Sequence, residues 1–139
     1  LRAALKFGIK PILCIGGKKK GKEEKKEMKY QLENDLLGIK KSELKNIIIT
    51  YEPVWAISTT KGSVIATPED AKENKIFIRE NLIKLFGEFS ARKVRIIYGG
   101  SVDSKNIKGF IKSAKMDGAL IGAASLRPDD FTAAIKMLI

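Results

Sequence analysis

Apolar residues along this chain gather into four short continuous runs, and between them they recur every three or four positions. Continuous runs predict buried strands and the longer period predicts helices. Strands are expected near Lys10 to Ile15, Asn46 to Glu52, Val94 to Tyr98 and Gly118 to Gly122, with helices at about Glu23 to Leu37, Pro68 to Phe86, Ser104 to Ala114 and Pro128 to Leu138. The second helix has the clearest start. Thr67 can cap it, Pro68 suits its first position, and Glu69, Asp70 and Glu73 favour the positive end of its dipole. Ile76, Ile78, Leu82, Ile83, Leu85 and Phe86 give its expected apolar stripe. Strands alternating with helices predict an α/β fold with a parallel sheet and right-handed crossovers. No low-complexity linker interrupts the pattern, so residues 1–139 are expected to form a single domain.

The second strand ends abruptly. Asn46-Ile47-Ile48-Ile49-Thr50 is β-branched and unbroken, as expected for a parallel strand covered on both faces. Glu52 then meets Pro53, which cannot donate to a ladder and biases Glu52 toward an extended backbone. A carboxylate is thereby placed at the C-terminal end of a strand, where (β/α)-type folds keep their chemistry. A surface glutamate paired with one of the many lysines is the plainer alternative.

The run Ile49 to Ala71 resembles the catalytic strand and lid loop of the triosephosphate isomerase family. Tyr98-Gly99-Gly100-Ser101-Val102 and Asp117-Gly118-Ala119-Leu120-Ile121-Gly122-Ala123-Ala124-Ser125-Leu126 resemble two later segments of the same family, and Pro11-Ile12-Leu13-Cys14-Ile15-Gly16 is similar to its fifth strand. All four stand in the family's order. The resemblance covers essentially the whole chain but only the C-terminal half of the family's sequence. A barrel of this kind needs about 250 residues, so these 139 residues imply half of a (β/α)8 TIM barrel, four parallel strand-helix units.

The reaction so implied interconverts dihydroxyacetone phosphate and glyceraldehyde 3-phosphate through an enediol, with Glu52 taking a proton from one carbon and returning it to the next. That role calls for a raised carboxyl pKa and exclusion of water. The resemblance makes Pro53 to Ala66 the lid, including Val54, Trp55, Thr59 and Lys61. Ser58 and Thr60 stand where the family usually has glycines, and three extra residues lie between Lys61 and Ala66, which leaves the closing geometry open. The substrate phosphate would meet backbone N–H groups of Ser58, Ser101, Gly122 and Ala123, and the side chains of Tyr98 and Ser101 would latch the lid. Ala123 replaces the family's usual second glycine. Gly17 occupies a place where the family commonly has a glutamate that partners the lid tryptophan, so Trp55 is expected to be held less firmly. The chain contains no histidine, and the family's electrophilic imidazole and its asparagine and lysine pair belong to the other half.

Composition adds limits. The net charge of +11 comes from 22 lysines against five arginines, with no arginine–aromatic interleaving, which argues for solvated lysine faces and against nucleic acid as a partner. The same charge would attract phosphorylated metabolites. Cys14 is the only cysteine, so no intrachain disulfide forms, and it is expected in the core. No apolar run approaches the roughly 20 residues of a membrane span, and the charged N-terminus does not read as a secretory signal, so the expected location is the cytoplasm and no membrane partner is expected. No cofactor or metal is called for. Leu1 rather than Met at the start suits an excised piece, a processed product or a non-standard start. A half barrel would leave its first and last strands as edges with apolar faces open to water. The expected partners are therefore a small phosphorylated triose and either an N-terminal half barrel or a second copy of the chain. The alternative to an isomerase is a non-catalytic, self-associating half barrel that binds small phosphates or serves as an assembly module.

Overall fold

The computed structural model describes residues 1–57 and 64–139. Three strands, β1 (Ile12–Ile15), β2 (Ile48–Tyr51) and β3 (Arg95–Tyr98), pair in chain order as a parallel sheet. Helix α1 (Arg2–Lys6) precedes them, α2 (Lys22–Asp35) connects β1 to β2, and α3 (Pro68–Phe86) with the short α4 (Glu88–Ala91) connects β2 to β3; α5 (Pro128–Lys136) closes the chain. The register sets Ile15 beside Tyr51 and Tyr51 beside Tyr98. All three strands therefore end at one level, and the residues after each are brought side by side.

Strand alternation decides what is covered. Ile15, Ile49, Tyr51, Ile96 and Tyr98 are buried in one core with Met28 and Leu32 of α2 and Ile78 and Leu82 of α3. The opposite face is open at β1, where Ile12 is 47% exposed. The second strand is covered on both faces as expected, with Thr50 buried and Ile48 half-buried on its second face, whereas β1 is covered on one face only among the described residues. Cys14, expected in the core, is exposed for the same reason: it shares the open face with Ile12.

Helix α3 begins as its sequence predicts. The Asp70 N–H donates to the Thr67 hydroxyl at 3.2 Å, and the Thr67 N–H donates to the Asp70 carboxylate at 3.0 Å, with Pro68 in the first turn. Its buried stripe is Ala71, Asn74, Ile78, Leu82 and Phe86, spaced three or four apart. Ile76 and Leu85, expected on that stripe, are exposed, to 51% and 40%.

The fourth unit departs from expectation. Gly118 to Gly122 does not form a strand; it touches β3 through a single parallel bridge between Tyr98 and Ala119. The Tyr98 N–H donates to the Gly118 carbonyl at 3.1 Å, and the Leu120 N–H donates to the Tyr98 carbonyl at 2.8 Å. The Asp117 N–H donates to the Ile96 carbonyl at 3.0 Å just before it, so the stretch runs along β3 from Asp117 to Leu120 with one bridge and then leaves it. The helix expected over Ser104 to Ala114 is realised as a π-helical turn at Gly109–Ser113. No helix among the described residues is long and apolar enough to cross a membrane.

Candidate active site

The level strand ends are stitched together by backbone bonds. The Glu52 N–H donates to the Ile15 carbonyl at 2.8 Å, and the Gly99 N–H donates to the Tyr51 carbonyl at 2.8 Å. Gly16 is required here, because a Cβ on it would stand 1.9 Å from the Glu52 carbonyl oxygen. Main chain from β1 thus presses directly on the backbone of Glu52.

Glu52 is half-buried and borders a cavity of about 400 Å³ together with Ser101, Gly122, Ala123 and Arg127. Four of the site residues expected from sequence are therefore neighbours of one space. Gly122 and Ala123 open a 3-10 turn (Ala123–Leu126), and the first N–H groups of such a turn have no acceptor within it. The Ser101 hydroxyl donates to the Ala56 carbonyl at 3.0 Å, tying this loop to the residues after Glu52. The Asn106 side-chain amide holds the Ser101 carbonyl at 2.9 Å. Cys14 lies against Glu52: partial burial first, then the hydrogen bond and charge of Glu52, push its thiol pKa up.

After Glu52 the chain turns into a 3-10 helix at Val54–Ala56, with Pro53, Trp55 and Ala56 buried. The Val64 N–H donates to the Trp55 carbonyl at 3.0 Å, and Ala66 is buried, so both ends of the expected lid rest on the body of the protein. Ser58, Thr59, Thr60 and Lys61 lie outside the described residues.

Trp55 is not loosely held. It is 8% exposed, and its indole N–H donates to a carboxylate oxygen of Glu24 at 2.9 Å. The Tyr51 hydroxyl donates to the same oxygen at 2.9 Å, and the Asn74 side-chain amide donates to the Tyr51 hydroxyl at 2.8 Å. The Lys20 ammonium lies 5.2 Å from the centre of the Trp55 ring and is paired with Asp70 at 2.8 Å. The expectation drawn from Gly17 is corrected: a carboxylate from α2 reaches the indole instead. Burial pushes the Glu24 carboxyl above the ordinary glutamate value, against the Trp55 and Tyr51 donors and the N–H groups of Gly21 and Gly17, which favour the charged form. Burial, then the charge of Glu24, push the Tyr51 hydroxyl upward as well. Tyr98 is buried too, stacked on Phe110 with ring centres 3.8 Å apart, and its hydroxyl lies beside Gly100.

Two residues of this region escaped the sequence reading. Arg127, on the cavity wall, forms an ion pair with Asp130, and nothing in its neighbours along the chain marks it as a site residue. Glu24 looked like one more charge in a lysine- and glutamate-rich helix. Its signal was its spacing: Glu24, Met28 and Leu32 stand four apart and are the buried positions of α2.

A family model described as triosephosphate isomerase matches residues 1–138. The triosephosphate isomerase of Carboxydothermus hydrogenoformans is 46% identical over 139 residues, which cover 98% of this chain and 54% of that protein. The corresponding enzyme of Geotalea uraniireducens is 43% identical, covering 96% of this chain and 53% of that protein. That of Fusobacterium nucleatum is 41% identical over 98% of this chain and 54% of its own length. The chain spans about half the length of the curated relatives it matches.

Proposed function

The chain belongs to the triosephosphate isomerase family, and on that premise we propose that Glu52 is the base of a triose phosphate isomerisation whose phosphate site is formed by Ser101, Gly122 and Ala123. The observation that carries this reading is that Glu52 and those three residues border one cavity beyond the carboxyl ends of the strands. The substrate is dihydroxyacetone phosphate. The Glu52 carboxylate takes a proton from the hydroxymethyl carbon, an enediol forms, and the same proton returns to the neighbouring carbon to give glyceraldehyde 3-phosphate. Backbone N–H groups of Ser101, Gly122 and Ala123 receive the phosphate dianion, Arg127 adds positive charge at the wall, and Ser58 of the lid supplies a further amide. Tyr98 and Ser101 latch the lid, whose ends are Pro53, Val54, Trp55 and Ala66, with Thr59 and Lys61 between them.

Isomerisation also requires a group to polarise the carbonyl and move protons between oxygens. With no histidine in the sequence, that electrophile comes from outside these residues: an N-terminal half barrel completing a (β/α)8 barrel around the open face of the sheet. If the missing electrophile and cation each supply about 3 kcal/mol of transition-state stabilisation, these residues alone are slower by roughly four orders of magnitude.

The open face at Ile12 and Cys14 also favours a second reading, a self-associating half barrel that binds small phosphates without turning them over. Isomerisation by the chain beside a Glu52→Gln variant, both checked for folding, decides between them. The first reading expects weak activity in the parent that is lost in the variant, and strong activity once a complementary N-terminal half is added. Equal background in parent and variant, with and without that half, overturns it.

A further inference from the structure

Glu24 is a carboxylate in an unusual place. Glu23 and Glu33 of the same helix face water, whereas Glu24 is 1% exposed. Among the described residues no lysine is paired with it: Lys20 is paired with Asp70 and Lys25 with Glu73. Burying an acid without a cation is costly unless donors surround it. Here the side-chain donors are the Tyr51 hydroxyl and the Trp55 indole, both at 2.9 Å, beside the N–H groups of Gly17 and Gly21. Those two residues flank Glu52, one immediately before it and the other three after. A rigid helix thus grips the chain on both sides of the proposed base.

Gly17 makes this possible. A Cβ there would lie 2.7 Å from the Glu24 Cα, 3.0 Å from its Cβ and 3.1 Å from its Cγ. The Val54 N–H donates to the Gly17 carbonyl at 3.1 Å, so this bare stretch of backbone lies directly against the turn that carries Trp55. A side chain at residue 17 and the stem of Glu24 compete for one volume. We propose that Glu24 is the positioning residue for Glu52, clamping Tyr51 and Trp55 from α2, and that Gly17 and Glu24 form an interchangeable pair in which either position can supply the clamping carboxylate. The inference rests on Glu52 being the base.

The sequence holds a single tryptophan, so its indole N–H gives one assignable NMR signal, read without any substrate. Three sites in uniformly labelled chain report: the Trp55 indole N–H, the Glu52 amide bonded to Ile15, and the Ile96 amide, which donates to Asp117 at 2.7 Å away from the clamp. Glu24→Met keeps volume and helix propensity and removes the acceptor. It should speed hydrogen exchange at the indole and at the Glu52 amide by roughly tenfold or more, leaving Ile96 unchanged. Equal acceleration at all three would mean a general loss of stability, and none would mean no clamp; either overturns the proposal. The swap Gly17→Glu with Glu24→Ala should return both sites toward parent protection, above Glu24→Ala alone; a folded swap without that recovery overturns the interchange. If Glu24→Ala fails to fold, recovery of fold and protection in the swap supports the pair, and Glu24→Met still decides the clamp. Unchanged activity in Glu52→Gln would sink the base assignment while leaving these exchange rates as they are, so the two failures are distinguishable.

Discussion

At the scale of single residues, the site depends on backbone proximity as much as on side-chain chemistry. Gly16→Ala would force a methyl into the Glu52 carbonyl, 1.9 Å away, where only backbone can give. We expect a stability loss of about 3 kcal/mol or more and displacement of Glu52, read as a lowered urea midpoint and shifted amide signals at residues 51–53. An unchanged midpoint would mean the strand ends are looser than their bonds indicate. Glu24 makes a second prediction, this one about pH. Because its folded carboxyl is held above the ordinary glutamate value, the native state binds its proton more firmly than the unfolded chain does. The stability it contributes is complete below the ordinary value and is lost as pH rises toward the raised one. Urea midpoints of the parent minus those of Glu24→Met should therefore fall across that window and level off above it; a rising difference contradicts the assignment. Glu52 was legible in sequence because a strand and a proline bracket it. Glu24 was not, since nothing local to a charged helix says which carboxylate will meet an indole 31 positions away.

At the scale of elements, α3 was the most legible because its start is written in adjacent residues. Thr67, Pro68 and Asp70 make a reciprocal cap that needs no tertiary partner. Burial pushes the Asp70 carboxyl up, but Lys20 and the Thr67 N–H and hydroxyl outweigh it and hold the pKa below the usual aspartate range. Its stability contribution is present above that range and lost as pH falls through the lowered value. Asp70→Asn should cost about 1 kcal/mol at neutral pH, seen by thermal or urea unfolding, and the difference should vanish in acid. A deficit that persisted in acid would point to packing rather than charge. The stripe of the same helix was read less well. Ile76 is apolar, but 100° of turn per residue sets it on the far side from Ile78; Leu85, seven residues after Ile78, is on the stripe by angle and is exposed because nothing among the described residues covers it in the last turn. Gly118 to Gly122 had the run of a strand, yet its pairing stops after one bridge. A strand exists only where a neighbour accepts its whole ladder, and an apolar run cannot reveal how much of that neighbour is present.

At the scale of the whole molecule, the sheet buries one face and leaves the other open at Ile12 and Cys14. Such a surface calls for cover. We expect the chain to self-associate, with a concentration-dependent mass by sedimentation, and Ile12→Lys to weaken that association several-fold; a monodisperse monomer at all concentrations would contradict this. Addition of a complementary N-terminal half should displace the self-associated form. The sequence by itself determined the alternation of strand and helix, the parallel order, the cap of α3 and the carboxylate at the end of β2, because each is encoded by residues within a few positions of one another. Only the tertiary structure decided that Cys14 faces outward, that Gly118 to Gly122 stops short of a strand, and that Glu24 rather than residue 17 reaches Trp55. Periodicity tells which side of an element a residue occupies. What stands on that side is settled when distant segments meet and bury, or fail to bury, each other.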